Sequence, residues 1–452
     1  MKKIFINRIG RREFLKTSLS GLALATLPGI SFAQSNPDVV VIGAGAAGLS
    51  ASAELVRRGI SFVCIEGMNR IGGRCYTDMS TFGVPADHGA HWLHGHAQNE
   101  IAIFGKKHKD KFKIYKEPDR SVVYDGKSKV NENKLWNIYK KIEKIRETSS
   151  DKPFMDLIPE KIKKNDWFDT AHKASMARDF GEFSTYDDNN NWYDPGWDSG
   201  NALCREGYGT LLAYYRKDVP VKLNTIVSEI KWGGKGVQVV TNKGTINAKA
   251  CIVTVSAGVL KAEKIKFTPA LPPRKYEALE SVSMTVSNRV LMQLKKKFYG
   301  KFKNDTNFYI KCNSNGAKSP ETIAYGLLKM SGTNVSLFGI SGQFSKDLEN
   351  EGSEAMIDFV LNKLKSTYGS EFYEKYFIKA IATGWANNPF TLGAYSGGVP
   401  GKSKKRRDIK LPVGDRIFFA GEATAGAFST VHGANRSGIR AATDLYISSA
   451  LD

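Results

Sequence analysis

Asp38-Val39-Val40-Val41-Ile42-Gly43-Ala44-Gly45-Ala46-Ala47-Gly48 is the stretch that decides the fold. Asp38 to Ile42 is short, apolar and β-branched, the pattern of a buried strand. Glycines follow at Gly-x-Gly-x-x-Gly spacing, and Leu49 to Arg57 then carries a helical pattern that stops at Gly59. Ile60 to Ile65 reads as a second strand, with Glu66 at its end. Strand, turn, helix and strand in about 30 residues make a βαβ unit. The glycines have separate tasks. Gly43 permits the tight turn, Gly45 lets the backbone approach a pyrophosphate, and Gly48 lets helix and strand pack closely. Ala47 lies within the same phosphate-facing turn, where the helix N-terminus offers free N–H groups and a partial positive charge. Glu66, 18 residues after Gly48, is placed to accept hydrogen bonds from ribose hydroxyls. An acid there repels a 2′-phosphate, which argues against NADP and leaves NAD or FAD.

Segments further out favour the longer ligand. Arg70-Ile71-Gly72-Gly73-Arg74 comes soon after Glu66, and Arg74 can neutralise phosphate. Gly89-Ala90-His91-Trp92 follows. Near the other end stand Gly414-Asp415-Arg416-Ile417-Phe418-Phe419-Ala420-Gly421-Glu422 and Thr430-Val431-His432-Gly433, which lead into a last helix. A motif that returns to the cofactor from the far end of the chain suits FAD.

The expected fold is therefore α/β with two domains (α+β overall). A Rossmann-like FAD-binding domain is assembled from residues 37–115, 205–265 and 380–452. A substrate domain of mixed sheet and helix, residues 116–204 and 266–379, is inserted between those pieces. Within it, Leu135, Ile138, Tyr139, Ile142 and Ile145 mark an amphipathic helix over 131–148, and residues 353–376 also read as helical. Lys402 to Arg407 reads as a solvated basic loop. Ligand sites tend to lie where such domains meet.

Charge and cysteine usage bound the rest. The 452 residues carry a formal charge of +21. Such a charge favours contact with anionic surfaces, but no nucleic-acid recognition module is visible, so nucleic acid is not an expected partner. No run of about 18–20 apolar residues is present to span a bilayer, so the chain is not expected to be transmembrane. Residues 1–33 read as a targeting segment: a basic start, Arg11-Arg12-Glu13-Phe14-Leu15-Lys16, a mildly apolar run, then Ser31-Phe32-Ala33. The paired arginines resemble a twin-arginine export signal, which carries folded, cofactor-loaded proteins to the bacterial periplasm. The five cysteines (Cys64, Cys75, Cys204, Cys251 and Cys312) form no Cys-x-x-Cys pair. Buried free thiols are expected, with no zinc site and no disulfide framework.

Taken together, these motifs resemble the flavin-containing amine oxidase family of monoamine oxidases, polyamine oxidases and flavin-type histone-lysine demethylases. The resemblance runs from about residue 37 to 447, with motifs at both ends in order. It implies FAD held by Gly43, Gly45, Gly48, Glu66, Gly73 and Arg74, by backbone at Ala90, His91 and Trp92 and at Val227, and by Gly421, Glu422 and Val431. It also implies hydride transfer from an amine to the flavin, hydrolysis of the imine, and passage of electrons to O2 or to a periplasmic acceptor. Ser287-Asn288-Arg289-Val290-Leu291-Met292 resembles the stretch that carries a lysine beside the flavin. Arg289 stands at that place, or Asn288 if the register is one residue earlier. An arginine stays charged and is no base, which implies reduced reactivity toward oxygen. Trp385 to Ser396 matches the late active-site segment. Trp385 belongs to it, Tyr395 to the aromatic wall that guides the amine, and Ala394 to the position where monoamine oxidases carry a flavin-linking cysteine, so the FAD is expected to be non-covalent. Thr430 stands where those enzymes have a second cage tyrosine. His94, in Trp92-Leu93-His94-Gly95, resembles the histidine of animal polyamine oxidases and is a candidate to assist deprotonation.

The substrate reading rests on residues 179–204. They hold six acids (Asp179, Glu182, Asp187, Asp188, Asp194, Asp198), interleaved with six aromatics including Phe183, and no Lys or Arg. Acid plus aromatic is the chemistry a polycation needs; a surface loop of turn residues is the equally weighted alternative. An L-amino-acid oxidase would need a cation for the carboxylate, from Arg289 or Arg205. A non-catalytic flavoprotein with a basic docking surface is the third reading.

Overall fold

β1 (Val39–Ile42) and β2 (Phe62–Ile65) pair in parallel, and α1 (Ala46–Arg57) crosses between them. They lie at the centre of a computed structural model that describes residues 36–148, 150–176, 179, 183–185, 199–312 and 316–451. The expected signal segment, residues 1–33, and most of the acidic-aromatic stretch lie outside the described residues. The sheet has five strands, in the order Ile417–Phe419, Ala250–Val253, β1, β2, Val221–Lys222, all parallel. Strands far apart in sequence thus meet around the first. β1 is wholly buried because both faces of such a sheet are covered. One face packs on α1 and on the last helix, Val431–Ile447. Those two helices cross at near backbone contact: a Cβ on Gly438 would lie 2.0 Å from Ala47 O. Leu49 and Leu55 of α1 are fully buried there, each stabilising by about 2 kcal/mol.

A second sheet has seven strands, in the order Phe377–Ala382, Ser287–Leu294, Val335–Ser341, Tyr325–Leu328, Thr306–Ile310, Ser121–Asp125, Ser128–Val130. Its period-2 alternation decides what each residue faces. Val290, Met292 and Leu294 join Val122, Tyr124 and Phe308 under the helix Ser353–Tyr368. Leu291 joins Leu327 and Leu337 on the other face, toward Trp92. Arg289 shares the parity of Leu291, and Asn288 that of Val290.

Several expectations change. The helix expected over 353–376 ends at Tyr368, because Gly369 takes φ +106° as its C-cap, and a short helix, Phe372–Tyr376, follows. Residues 403–410 form a 3₁₀ helix rather than a solvated loop. Arg406 on it is buried, donating to Ser396 Oγ and Ala423 O across the Phe428 ring. The domain limits also move. Lys266–Thr268 pairs with Val227–Lys231, and Leu271, Ala278 and Val282 pack with Val40 and Ile42, so these residues belong with the nucleotide sheet. Ala202–Cys204 likewise joins that core, through Ile114–Lys116. Conversely, Phe377 and Lys379 to Ala382 pair with Val290 to Leu294 in the seven-stranded sheet, with a register shift at Ile378. All five cysteines are buried and free. Among the described residues, no helix is long and apolar enough to cross a membrane.

Candidate active site and cofactor cleft

The Gly-rich turn is built as its spacing requires. Gly43 has φ +104°, and a Cβ there would lie 2.7 Å from Thr254 Oγ1. A Cβ on Gly48 would lie 1.8 Å from Gly43 O, so helix and turn touch through backbone alone. Gly45 differs: a Cβ there meets no protein atom within 4 Å. It is the N-cap of α1 and has no side-chain cap, so the first N–H groups of the helix remain for a ligand. Gly72 closes the second motif onto the first, its N–H bonding Ala44 O at 2.8 Å.

A cavity of about 1180 Å³ opens beside this turn and runs on to the seven-stranded sheet. It is lined by Gly43, Gly45, Ala47, Glu66, Gly73 and Arg74 from the first motifs. Ala90, His91, Trp92, Val227, Gly421, Glu422 and Val431 continue the wall. Gly48 does not line it, as a packing glycine should not. Arg289, His94, Tyr395, Thr430 and Trp385 line the same cavity. Residues expected to serve cofactor and substrate thus share one space.

The donor set fits a dinucleotide. Glu66 accepts from Ala44 N at 2.7 Å and from Met68 N at 2.9 Å, which fixes its carboxylate at the end of β2 with lone pairs remaining. Arg74 spends only Nη1 on protein, on Glu422 Oε1 at 2.9 Å and Ala394 O at 3.0 Å. Nε and Nη2 remain for phosphate. His91 gives Nδ1 to Asp87 Oδ2 at 2.7 Å, and its Nε2 is buried with no partner, an acceptor set in the cofactor wall. Residues expected to act through backbone alone therefore include one polar side chain. Glu422 is buried between Arg74 and Arg406, with Ser396 bonded to it. Burial raises its pKa, but the two cations and the hydrogen bonds outweigh that and hold it below the ordinary carboxylate value.

At the other end, sheet parity chooses between the two registers read in the sequence. Arg289 faces the cavity. Its Nη1 donates to Asp87 O at 3.3 Å, its Nε to Tyr325 Oη at 3.4 Å, and its guanidinium lies 5.4 Å from the Trp92 ring. Asn288 faces away, bonding Ser345 Oγ and Glu349 Oε2, and is not a lining residue. Trp92 and Tyr325 meet edge to face at 5.7 Å. His94 Nδ1 lies 2.8 Å from Asn201 Oδ1.

Two expected roles are revised. The Thr430 hydroxyl is the N-cap of the last helix, accepting from Gly433 N at 3.0 Å and donating to Ala427 O at 2.7 Å, so it is a wall residue whose proton is committed. Arg205 is exposed and lines no part of the cavity, so it offers no carboxylate clamp. In the 179–204 stretch, Asp179 pairs with buried Lys173 and accepts from Gln343 N at 2.6 Å, and Phe183 packs on Phe154 in a core. Both are structural; the other acids lie outside the described residues.

Missed in the sequence were Glu117, Asp119, Glu143, Asn201, Tyr139 and Tyr309, all of which line the cavity. No local motif marks them: strand order brings Tyr309 there, and the loop after Ile114–Lys116 brings Glu117. Burial first, then the charges of Glu143 and Glu117, push the Tyr139 phenol up to about 12.

The comparisons agree with this geometry. Residues 167–446 match the family of flavin containing amine oxidoreductases, and residues 41–104 match an NAD(P)-binding Rossmann-like domain. Polyamine oxidase 4 of Oryza sativa subsp. japonica is 30% identical over 91% of this chain and 88% of its own. Polyamine oxidase 2 of Arabidopsis thaliana is 28% identical over 90% and 88%. The solved structure of wild-type putrescine oxidase bound to putrescine shares the fold, with TM-score 0.70 at 18% identity over 91% of this chain and 99% of that one. With the cleft, the aromatic chamber and these relatives in agreement, the chain belongs to the flavin-containing amine oxidoreductases and is an FAD-dependent enzyme of that family.

Proposed function

We propose that this enzyme oxidises a di- or polyamine, with non-covalently held FAD taking the electrons. One observation carries the reading: a single cavity joins the dinucleotide turn to a chamber lined by the acids Glu117, Asp119 and Glu143 and by the rings of Trp92, Tyr309 and Tyr325. Carboxylates and aromatic faces together suit a flexible polycation. Polyamine oxidases among the relatives support the same class.

When bound, FAD supplies the two-electron acceptor for a hydride leaving the carbon next to nitrogen, and the resulting imine hydrolyses to an aldehyde and an amine or ammonia. The chain supplies the setting. Trp92 and Tyr325 wall off water and guide the amine. Tyr395 and Trp385 continue that wall from the far end of the chain. Asn201 presents its amide oxygen to His94, because its NH2 is given to Glu117 at 2.8 Å. His94 therefore carries its proton on Nδ1, and in the neutral form its lone pair sits on Nε2. That tautomer is the one able to take a proton from an incoming ammonium. Arg289 holds a fixed cation where the resemblance expects a lysine, which favours an electron acceptor other than oxygen.

A substrate panel tests this. Turnover with spermidine, putrescine, butylamine and L-amino acids is measured with a dye acceptor and again with oxygen. The polycations are expected to give the highest kcat/KM, and the dye to outrun oxygen. Turnover confined to L-amino acids would sink the polyamine reading, and faster turnover with oxygen would sink the acceptor reading. Export through residues 1–33 belongs to the same proposal, supported by Arg11-Arg12 and the residues after them. Changing both arginines to lysine is expected to strand the protein in the cytoplasm of a bacterial host. Unchanged recovery from the periplasm rejects the twin-arginine route.

A further inference from the structure

One buried carboxylate lies outside the cavity yet ties two of its walls together. Glu349, on the helix Gly342–Glu351, is buried and is not a lining residue. Its Oε1 accepts from Asn387 N at 2.6 Å, and its Oε2 from Asn288 Nδ2 at 2.8 Å and Ala386 N at 3.3 Å. All three donors are neutral. Asn288, wholly buried, passes the grip on: its Oδ1 accepts from Trp385 N at 3.1 Å and from Thr383 Oγ1 at 3.3 Å. Thr383 Oγ1 accepts in turn from Arg289 N at 2.8 Å, and Thr383 N donates to Arg289 O at 2.9 Å. The loop that starts at this hub runs along the whole cleft, and Trp385, Pro389, Phe390, Thr391, Ala394 and Tyr395 line it. Trp385 O closes the loop on itself, accepting from Gly393 N and Thr391 Oγ1, both at 2.8 Å. Next to Glu66, a Cβ on Gly67 would lie 2.6 Å from the Phe390 ring, so the same loop also reaches the far end of the cleft.

We propose that Glu349 is a positioning residue for the reaction: acting through Asn288 and the N–H groups of Ala386 and Asn387, it sets where Arg289 and Trp385 stand in the cavity wall. Sheet pairing aligns the two segments only as far as Val290 and Ala382. Beyond that point the chain leaves the sheet, and the register is carried to Trp385 by Thr383, Asn288 and Glu349. The hub requires a carboxylate. Three N–H groups converge on two oxygens, and an acceptor-only side chain takes all three. A glutamine of the same shape turns its NH2 onto one of those donors. Bonds to a carboxylate are also the shorter and stronger kind, and a buried network with every member satisfied holds one arrangement. Precision matters here, because a shift of about 1 Å caused from outside a site costs up to about a hundredfold in rate. The inference goes beyond the polyamine reading and holds for whichever amine reacts.

The test uses the FAD-loaded enzyme and three variants: Glu349→Gln, Asn288→Asp and the two combined. The first sets one NH2 against another, the second sets two carboxylates face to face, and the pair restores one donor facing one acceptor with the polarity reversed. Flavin content, the visible absorption and circular dichroism of the flavin, the melting temperature, and kcat and KM for the fastest amine of the panel are measured. Each single variant is expected to keep FAD, because the Gly43–Gly48 turn is untouched. Its flavin bands should shift, and kcat should fall about tenfold or more while KM stays within about threefold. The double variant should regain the wild-type spectrum and a kcat within about threefold of wild type. Asn288→Asp alone should recover kcat relative to wild type as pH falls, since paired carboxylates share a proton only in acid. A wild-type spectrum and kcat in Glu349→Gln overturn the proposal, as does a folded double variant no better than the worse single one. A colourless Glu349→Gln protein overturns it as well, because Glu349 would then be a cofactor clamp. If the single variants do not fold, the double variant decides by the same spectrum and kcat. The spectral readout needs no substrate, so its outcome is distinct from a failure of the polyamine reading.

Discussion

Gly45→Val is expected to yield a folded, colourless protein. A Cβ at this position meets no protein atom within 4 Å, and the residue has φ −75°, so the chain itself tolerates the substitution. The added methyl groups instead fill the space above the uncapped start of α1, where a pyrophosphate must approach the backbone. FAD content after purification should fall by at least tenfold, about 1.4 kcal/mol or more of lost binding. The melting temperature should match that of wild-type protein stripped of its flavin, because a ligand stabilises the native state only by the amount it binds. Gly48→Ala provides the contrast. Its Cβ would lie 1.8 Å from Gly43 O, so the turn and the helix cannot both keep their places. That variant should lose stability with or without added FAD. Yellow, fully loaded Gly45→Val protein would mean that the cofactor does not cross this turn.

Glu422→Gln is expected to be the most destabilising single change in the site. The carboxylate sits buried between Arg74 and Arg406 and also receives Ser396 Oγ at 2.6 Å and Ser429 N at 3.1 Å. Removing its charge leaves two guanidinium groups without their counter-ion, a loss of about 3–5 kcal/mol for breaking a buried network. Thermal unfolding measures it, and a cost below about 1 kcal/mol would show the network to be dispensable. The pH dependence follows from the same group. Its pKa is lower in the folded state than in the unfolded chain, so its contribution is full above the ordinary carboxylate range. That contribution is lost as pH falls through the range toward the folded value. The wild-type melting temperature should therefore drop on acidification more steeply than that of Glu422→Gln.

What was legible in the sequence follows from how local each signal is. The β1–α1–β2 unit could be read because its strand, turn and helix lie within one short stretch, and each glycine has one steric reason to be there. Glu422 and Val431 could be read only as a distant motif, yet they join Arg74 in the same wall because Ile417–Phe419 pairs beside Ala250–Val253. The choice between Asn288 and Arg289 needed the parity of a strand inside a seven-stranded sheet, which spacing along the chain does not contain. Charge counting failed where pairing was invisible. Asp179 reads as part of an acidic funnel but is tied to Lys173 and to the start of the distant helix Gly342–Glu351, and the basic run at Lys402 hides Arg406, which points inward. Glu117 carries no motif at all. It becomes a candidate only once Trp92 and Asn201, both distant in sequence, are seen to hold its two oxygens.

The most direct test of the central claim is anaerobic mixing of the purified enzyme with spermidine while the visible flavin band is followed. If one cavity holds FAD and a polyamine together, the band should bleach fully, without oxygen, at one equivalent of amine per flavin, and more slowly when the carbons beside nitrogen carry deuterium. A flavin that binds at the Gly43–Gly48 turn yet keeps its colour in saturating spermidine, putrescine and simple alkylamines would contradict the account.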